Sequence, residues 1–500
     1  MKLKDQYPLS VYNSLPREKE FFKSINKDYV GMYVCGPTVY GSPHLGHARS
    51  AITFDIVFRY LKHLGYKVRY VRNITDVGHL EDEVAGAGED KIVKKARLER
   101  LEPMEVVQTY TVMYHKSMDV LNVLRPSIEP TATAHIIEQI KIVEEILQNG
   151  YAYEVDGSVY FDMDKYTQDY KYGELSGKVL DDLISGSRNL EGQDKKKSAF
   201  DFALWKKANP EHLMQWDSPW GMGFPGWHLE CTAMSSKYLG LPFDIHGGGM
   251  DLQFPHHEGE IAQSFGYCGC KPVNYWLHNN MVTLDGQKMA KSKGNFISLD
   301  EMFDGSHSLL EKAYSPMTIR FFMLQSHYRS PIDFSNEALK AAEKGYKKLM
   351  TALQTLSEIP HVKGEKDEKL DQEINQLCDE IYKSLSDDFH TALALAGLFE
   401  LSSKIYSFYN KQASVSGISK ETFQRLQTTF TEVIEDVLGL ISEDGGGDGV
   451  LDGVMNLVIN IREKARLNKD YALSDQIRDE LATAGVKLKD EKGTTTYKLD

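Results

Sequence analysis

Two histidines and two lysines carry the clearest chemistry in this 500-residue chain. His44 and His47 close the stretch Pro37-Thr-Val-Tyr-Gly-Ser-Pro-His-Leu-Gly-His47, and Lys288 and Lys291 belong to Lys288-Met-Ala-Lys-Ser292, a loop with glycines on either side. Imidazoles at the start of a helix can meet phosphate oxygens as charge develops on them, and two loop lysines can clamp a pyrophosphate leaving group. Displacement at a phosphate of ATP on this pattern rests on positioning and electrostatics and needs no covalent nucleophile from the protein.

A second set of residues has the types that hold a metal. His256 and Glu260, four apart, share one helix face, and Pro255 suits the first turn of that helix. Cys35 ends a strand beside the nucleotide motif, and Cys231 ends Gly226-Trp-His-Leu-Glu-Cys231. A folded sheet can bring both thiols to the helix, making a Cys₂HisGlu site that suits zinc. The spacing leaves alternatives open. The four ligands are spread over more than 200 residues, cysteines also serve as small buried hydrophobes, and His257, Cys268 and Cys270 compete as donors. His256-His-Glu-Gly-Glu260 is not the His-Glu-x-x-His pattern of a metallopeptidase, which argues against a zinc hydrolase.

The elements that must position these groups are legible in outline. Val30-Gly-Met-Tyr-Val-Cys35 reads as a buried strand, a Gly36-Pro37 turn follows, and an apolar-periodic helix runs from about His44 to Leu64 before a second strand at Lys67 to Val71. Strand, turn, helix and strand make a βαβ unit, hence a parallel sheet with its ligand site at the carboxyl ends of the strands. From about Pro130 to Asp201 a helix, a hairpin-like stretch at Tyr151 to Asp162 and a charged segment read as an insertion. Strand-type sequence resumes at Phe243-Asp-Ile-His246 and Val273-Asn-Tyr-Trp-Leu-His278. After Pro331 long amphipathic stretches predict an α-bundle to about Leu440, then a glycine-rich linker and a compact terminal unit from Asn456.

Composition narrows the setting. No run of about 18 uncharged apolar residues occurs and the first ten residues lack an apolar core, so neither a spanning helix nor a signal peptide is expected. Five cysteines, an odd number in a long chain, fit reduced thiols or metal ligands and a cytoplasmic location. The net charge of −14 argues against a polyanionic partner, yet basic clusters at Lys91 to Arg100, Lys195 to Lys197 and Arg462 to Lys469 can hold nucleic acid locally. The absence of long exposed apolar patterns makes a monomer the expectation.

Seven ordered motifs carry a resemblance that runs nearly end to end: Tyr33-Val-Cys-Gly-Pro-Thr-Val-Tyr40, His44-Leu-Gly-His47, Tyr70-Val-Arg-Asn-Ile-Thr-Asp76, Gly226-Trp-His-Leu-Glu-Cys231, Phe243-Asp-Ile-His-Gly-Gly-Gly249, Phe254-Pro-His-His-Glu-Gly-Glu260 and Lys288-Met-Ala-Lys-Ser292. On these the chain resembles the class I aminoacyl-tRNA synthetases, and within them the cysteinyl-tRNA synthetases. The resemblance implies a Rossmann-type α/β catalytic domain with a split parallel sheet and an insertion, followed by an α-helical bundle and a small C-terminal anticodon-binding module. The segments would be residues 1–130 and 202–287 for the catalytic halves, 131–201 for the insertion, 288–340 for the lysine loop and stem-contact region, 341–442 for the bundle, 443–449 for the linker and 450–500 for the terminal module.

The same resemblance implies cysteine activation with ATP and transfer to the terminal adenosine of tRNA(Cys). Zinc would be held by Cys35, Cys231, His256 and Glu260, and Mg²⁺ would accompany ATP. His44, His47, Lys288 and Lys291 would act on the phosphates, with Gly247, Gly248 and Gly249 against the adenosine. Gly36, Thr38, Thr75, Trp227, His246 and Asp251 would surround the amino acid. No editing site is expected, because metal coordination separates thiol from hydroxyl by more than the roughly 1–3 kcal/mol that a shape difference supplies. The chain departs from the family pattern at Ala290, at Val77-Gly-His-Leu-Glu-Asp-Glu83, and near its end, where Tyr497 stands and a tryptophan is common.

Overall fold

The structure is a computed structural model and describes residues 2–78, 80–82, 87–178, 196–226, 228–284, 286–288, 296–362, 364–443, 448–467, 470–491 and 494–499. It divides into two compact units, Met1–Leu440 and Ile441–Asp500.

The first unit is organised around a four-stranded sheet. Its strands are β1 (Tyr29–Val34), β2 (Lys67–Arg72), β3 (Phe243–Gly249) and β4 (Val273–Asn279), in the spatial order β4-β3-β1-β2 and all parallel. In the register His246 lies beside Tyr33, Gly247 beside Val34, and Val34 beside Arg72. β1 and β3 are buried along almost their whole length, as expected for parallel strands covered on both faces. Helix α1 (Leu45–His63) connects β1 to β2 and buries 14 of its 19 residues, which explains a sequence with little polar face.

The apolar core runs without interruption from the sheet into the helices. Val34, Ile52, Phe54, Ile245 and Leu277 pack in the same cluster as Phe321, Leu398 and Phe430. The long helices Asn336–Glu358, Glu368–Ser386, Thr391–Tyr409 and Lys420–Glu432 supply the bundle expected after Pro331.

Between β2 and β3 the chain builds a separate antiparallel sheet. Its hairpin, Ala152–Val155 with Ser158–Phe161, pairs onward with Phe202–Lys207 and then Gly223–Pro225. The strands therefore lie on both sides of residue 201. Val143, Ile146, Phe161 and Trp205 form the core of this part. Helices α2 (Pro103–Val120), α3 (Leu229–Leu239) and α4 (Glu258–Cys268) complete the set that positions the site.

The second unit contains helices Asp448–Leu467 and Tyr471–Thr483 and a hairpin, Val486–Glu491 with Thr494–Leu499, in which Leu488 pairs with Tyr497. Arg462, one of the basic residues singled out above, is only 4% exposed, whereas Lys464 and Arg466 are exposed and Lys469 lies outside the described residues. Among the described residues no helix is long and apolar enough to cross a membrane.

Candidate active site and metal centre

The carboxyl end of β1 and the first turn of α1 frame the nucleotide motif. His44 is the residue before α1: its Nδ1 accepts the Gly46 N–H at 3.0 Å, and its own N–H donates to His47 Nδ1 at 3.2 Å. Both rings therefore use Nδ1 as an acceptor, which places the proton of each neutral imidazole on Nε2. The two rings lie 4.0 Å apart, centroid to centroid. The pair is thus set to donate from Nε2 at a helix N-terminus, where an anion is favoured.

Both histidines line a cavity of about 470 Å³, together with Cys35, Gly36 and Thr38 on one side and Gly249 and Asp251 on the other. Of the three glycines in β3 only Gly249 reaches that wall. A side chain at Gly247 would run into the Phe54 ring, and one at Gly248 would come within 2.7 Å of His257 Cε1, so these two serve close packing under the cavity. Val282 and Phe296, which flank the lysine loop, also line the cavity. Phe296 meets the His44 ring edge-on at 5.0 Å, and Ser298 bridges to His44. Lys288 ends the short strand Gln287–Lys288. Lys291 and Ala290 lie outside the described residues, as does Trp227.

The metal-type residues converge beside this cavity. Cys35 Sγ stands 3.7 Å from Cys231 Sγ on α3, 3.4 Å from His256 Nε2 and 3.8 Å from Glu260 Oε1 on α4, and His256 Nε2 is 3.3 Å from Glu260 Oε1. Zinc bonds of about 2.3 Å to sulfur and 2.0–2.2 Å to nitrogen or oxygen, arranged tetrahedrally, require donors about 3.3–3.8 Å apart. Cys35, His256 and Glu260 fit a metal on both chemistry and spacing, and Cys231 adds a second sulfur beside Cys35. The group whose donor atoms all lie within 4.8 Å of one another is Cys35, His256, His257 and Glu260, with His257 in it and Cys231 outside it. His257 Nε2 is 3.3 Å from Cys35 Sγ, while its Nδ1 is engaged with His278 Nε2 at 2.8 Å.

Electrostatics follow from burial and proximity. Burial pushes the Cys35 thiol up, but Cys231 and the His256 imidazole bring it down to about 6. Glu260, against the same penalty, is held at about 2 by His246 and His256. Burial pushes Cys231 up, and the neighbouring Cys35 adds to that. The pocket thus favours a thiolate and a carboxylate next to imidazole, the charge pattern that a divalent cation would complete.

The residues assigned to the amino acid fall into two groups. Gly36, Thr38 and Asp251 border the cavity. Thr75 bridges to Thr38 and donates to Glu230 Oε1 at 2.8 Å, and Asn73 ties the Gly36 N–H, at 2.9 Å, to the Thr75 hydroxyl, at 3.0 Å. Burial pushes the Glu230 carboxyl up to about 8. His246 stands apart from the cavity wall: it is fully buried, stacks on Trp276 at 4.4 Å and bonds Glu260 Oε2 at 2.8 Å.

Two features depart from the sequence reading or escape it. Cys268 and Cys270, expected as reduced thiols or ligands, form a disulfide; Gly269, with φ of 65°, turns the end of α4 so that their Cα atoms are 5.3 Å apart. Arg72 and Tyr114 line the cavity; Arg72 was legible only as part of a basic cluster and of the Tyr70–Asp76 motif, with no site role, and Tyr114, on a distant helix, carries no local signal.

Comparison with known proteins adds the following. The family described as "tRNA synthetases class I (C) catalytic domain" matches residues 21–344, and the DALR domain matches residues 380–442, which fall on the bundle helices and end within the first two residues of the second unit. A Cytophaga hutchinsonii protein named cysteine–tRNA ligase is 60% identical over 488 residues, 97% of each chain. A Porphyromonas gingivalis protein of the same name is 55% identical over 498 residues, 99% of this chain and 100% of that one. Among solved structures, Mycobacterium tuberculosis methionyl-tRNA synthetase with methionyl-adenylate matches with a TM-score of 0.55 at 14% identity, over 82% of this chain and 92% of that one. The Agrobacterium radiobacter LeuRS in its ternary complex matches at 0.57 and 12% identity, over 85% and 87%. At such identities the likeness is one of fold.

Proposed function

Because the chain belongs to the class I aminoacyl-tRNA synthetases, and within them to the cysteine–tRNA ligases, we propose that its cavity activates cysteine with ATP beside a zinc ion and passes the aminoacyl group to the 3′-terminal adenosine of tRNA(Cys). The observation that carries this reading is the cluster of Cys35, His256 and Glu260, with donor atoms 3.3–3.8 Å apart and Cys231 3.7 Å from Cys35, at the edge of the cavity that His44 and His47 line.

In this reading the cysteine carboxylate attacks the α-phosphorus of ATP, the bond to the bridging oxygen breaks, and pyrophosphate leaves. His44 and His47 donate from Nε2 to phosphate oxygens as negative charge builds, since the backbone already occupies both Nδ1 atoms. Lys288 and Lys291 act on the pyrophosphate, and Mg²⁺ accompanies the nucleotide. Gly249 lets the strand approach the adenosine, with Gly247 and Gly248 seating Phe54 and His257 beneath it. Gly36, Thr38, Thr75, Trp227 and Asp251 surround the amino acid, and His246 acts through Glu260. Zinc, when bound by Cys35, Cys231, His256 and Glu260, supplies a ligand position that prefers a thiolate to serine's hydroxyl, so no editing site is required.

Residues 1–130 and 202–287 then form the catalytic halves, 131–201 the insertion, 288–340 the loop and stem-contact region, 341–442 the bundle, and 450–500, beyond the 443–449 linker, a module that meets the anticodon stem-loop. The exposed Lys464 and Arg466 of that module are suited to phosphate contacts. The enzyme works as a cytoplasmic monomer. Zinc content and charging of the Cys231→Ser and His256→Ala variants test the reading: loss of metal and charging together is expected, and full retention of zinc in both would overturn the ligand assignment.

A further inference from the structure

The cavity has an arginine whose hydrogen-bonding capacity is only partly used. Arg72, the last residue of β2, is 2% exposed and shares the cavity wall with His47, Tyr70 and Tyr114. Its Nη2 donates to Glu129 Oε1 at 2.7 Å, and Glu129 Oε2 is in turn 2.6 Å from His115 Nε2. The guanidinium carbon lies 5.2 Å from the centre of the Tyr114 ring. These contacts fix the group from behind and from one face. Nε and Nη1 are buried and have no hydrogen-bond partner among the described residues.

The other arginine of the same wall shows the contrast. Arg49 gives both Nη atoms to the carbonyls of Met323, His327 and Ser330 at 2.6, 2.8 and 3.2 Å, a structural use that leaves only its buried Nε without a partner among the described residues. Leaving two donors of a buried cation unmet costs free energy that native structures seldom accept without a function. Arg72 also lies next to the turn where substrate would sit, since a Cβ on Gly36 would be 3.4 Å from Arg72 Cγ. It shares the cavity wall with Cys35, of the metal cluster, and with His47, of the nucleotide motif. An acceptor reaching the cavity there with a full negative charge is the complement of the unmet donors, and a planar guanidinium suits phosphate oxygens in particular.

Resting on the synthetase reading above, we propose that Arg72 is an anion-binding residue of the reaction, holding a phosphoryl oxygen of a nucleotide, with Glu129 and His115 as positioning residues that aim it. Two sources share that chemistry, the α-phosphate of the adenylate and the phosphate of the acceptor's terminal nucleotide, and kinetics separate them.

The test uses the full-length zinc-loaded protein with Arg72→Met, Arg72→Lys and Glu129→Gln, following ATP–pyrophosphate exchange, single-turnover transfer from preformed cysteinyl adenylate to tRNA, and thermal melting. Loss of one charged hydrogen-bonding partner predicts a roughly 10- to 100-fold drop in the step that Arg72 serves. A drop in exchange assigns it to the α-phosphate; a drop in transfer with normal exchange assigns it to the acceptor's terminal nucleotide. Arg72→Lys, which keeps the charge and the Glu129 contact, should leave the melting temperature unchanged but recover only part of the rate, and Glu129→Gln should fall in between. Full recovery by lysine, or rates within twofold of wild type for folded Arg72→Met, would overturn the proposal. A wild-type protein that neither exchanges nor charges would overturn the synthetase reading itself, and this one with it, whereas an active wild type with an indifferent Arg72 would overturn this one alone.

Discussion

His246 Nε2 lies 2.8 Å from Glu260 Oε2, with both side chains at most 2% exposed, so the carboxylate whose Oε1 faces Cys35 and His256 is held from behind. Partners of this kind orient a metal ligand and typically carry about 10- to 100-fold in metal affinity. His246→Ala is therefore expected to weaken zinc binding by roughly that factor, read by competition with a chromophoric chelator, while the KM for ATP changes little. A rise in the KM for cysteine at unchanged zinc affinity would instead return His246 to the amino acid pocket.

The placement of His246 also shows what the sequence could and could not carry. His44 and His47 were legible as candidates because the pattern is local: a strand, a turn and the first turn of one helix contain all of it. His256 and Glu260 were legible for the same reason, as an i and i+4 pair. The direction in which His246 faces was not, because β3 is buried on both sides and its residues show no alternation between solvent and core. Arg72 with Glu129 and Cys35 with Cys231 are separated by 57 and 196 residues, so only the fold brings them together. The Cys268–Cys270 pairing was missed from an argument based on the number of cysteines, which says nothing about two thiols across a tight glycine turn.

Asp55 in α1 anchors a buried charge network. Arg59 Nε donates to its Oδ2 at 2.8 Å, Arg320 bonds the same oxygen, and the Leu124 N–H reaches Oδ1 at 2.9 Å. Arg320 also meets the Leu438 carbonyl at 2.7 Å, tying the catalytic helix to the end of the bundle. Removing the shared anion leaves two buried cations, one of them fully inaccessible. Asp55→Ala should cost about 3–5 kcal/mol in urea unfolding, while a loss below about 1 kcal/mol, the range of a surface ion pair, would contradict the network.

The pH dependence of stability has a defined sign at His327. Burial lowers its pKa to about 4, against the opposing pull of the Asp388 carboxylate. The unfolded chain takes up a proton on this residue near pH 6.5 and the folded chain does not. Stability attributable to His327 is thus complete above about pH 6.5 and declines as pH falls from there towards 4. His278, pushed to about 3 by burial, contributes with the same sign. Urea midpoints at pH 7 and pH 5 should differ less in His327→Gln than in wild type; an equal difference would show that His327 does not contribute.

Discrimination between thiol and hydroxyl should depend on the metal donors. In His256→Ala and Cys231→Ser, any exchange activity that survives should lose preference for cysteine over serine, by far more than the roughly 10- to 200-fold that pocket shape alone can supply. Retained preference in zinc-free protein would place selection elsewhere in the cavity.

The central claim is most directly tested by charging total tRNA with radiolabelled cysteine, using the purified zinc-loaded protein, with cysteine-dependent ATP–pyrophosphate exchange run on the same preparation. Both activities are expected, each dependent on cysteine and not supported by serine. A folded, zinc-containing protein that shows neither would contradict the account, and exchange without charging would limit it to the adenylating step.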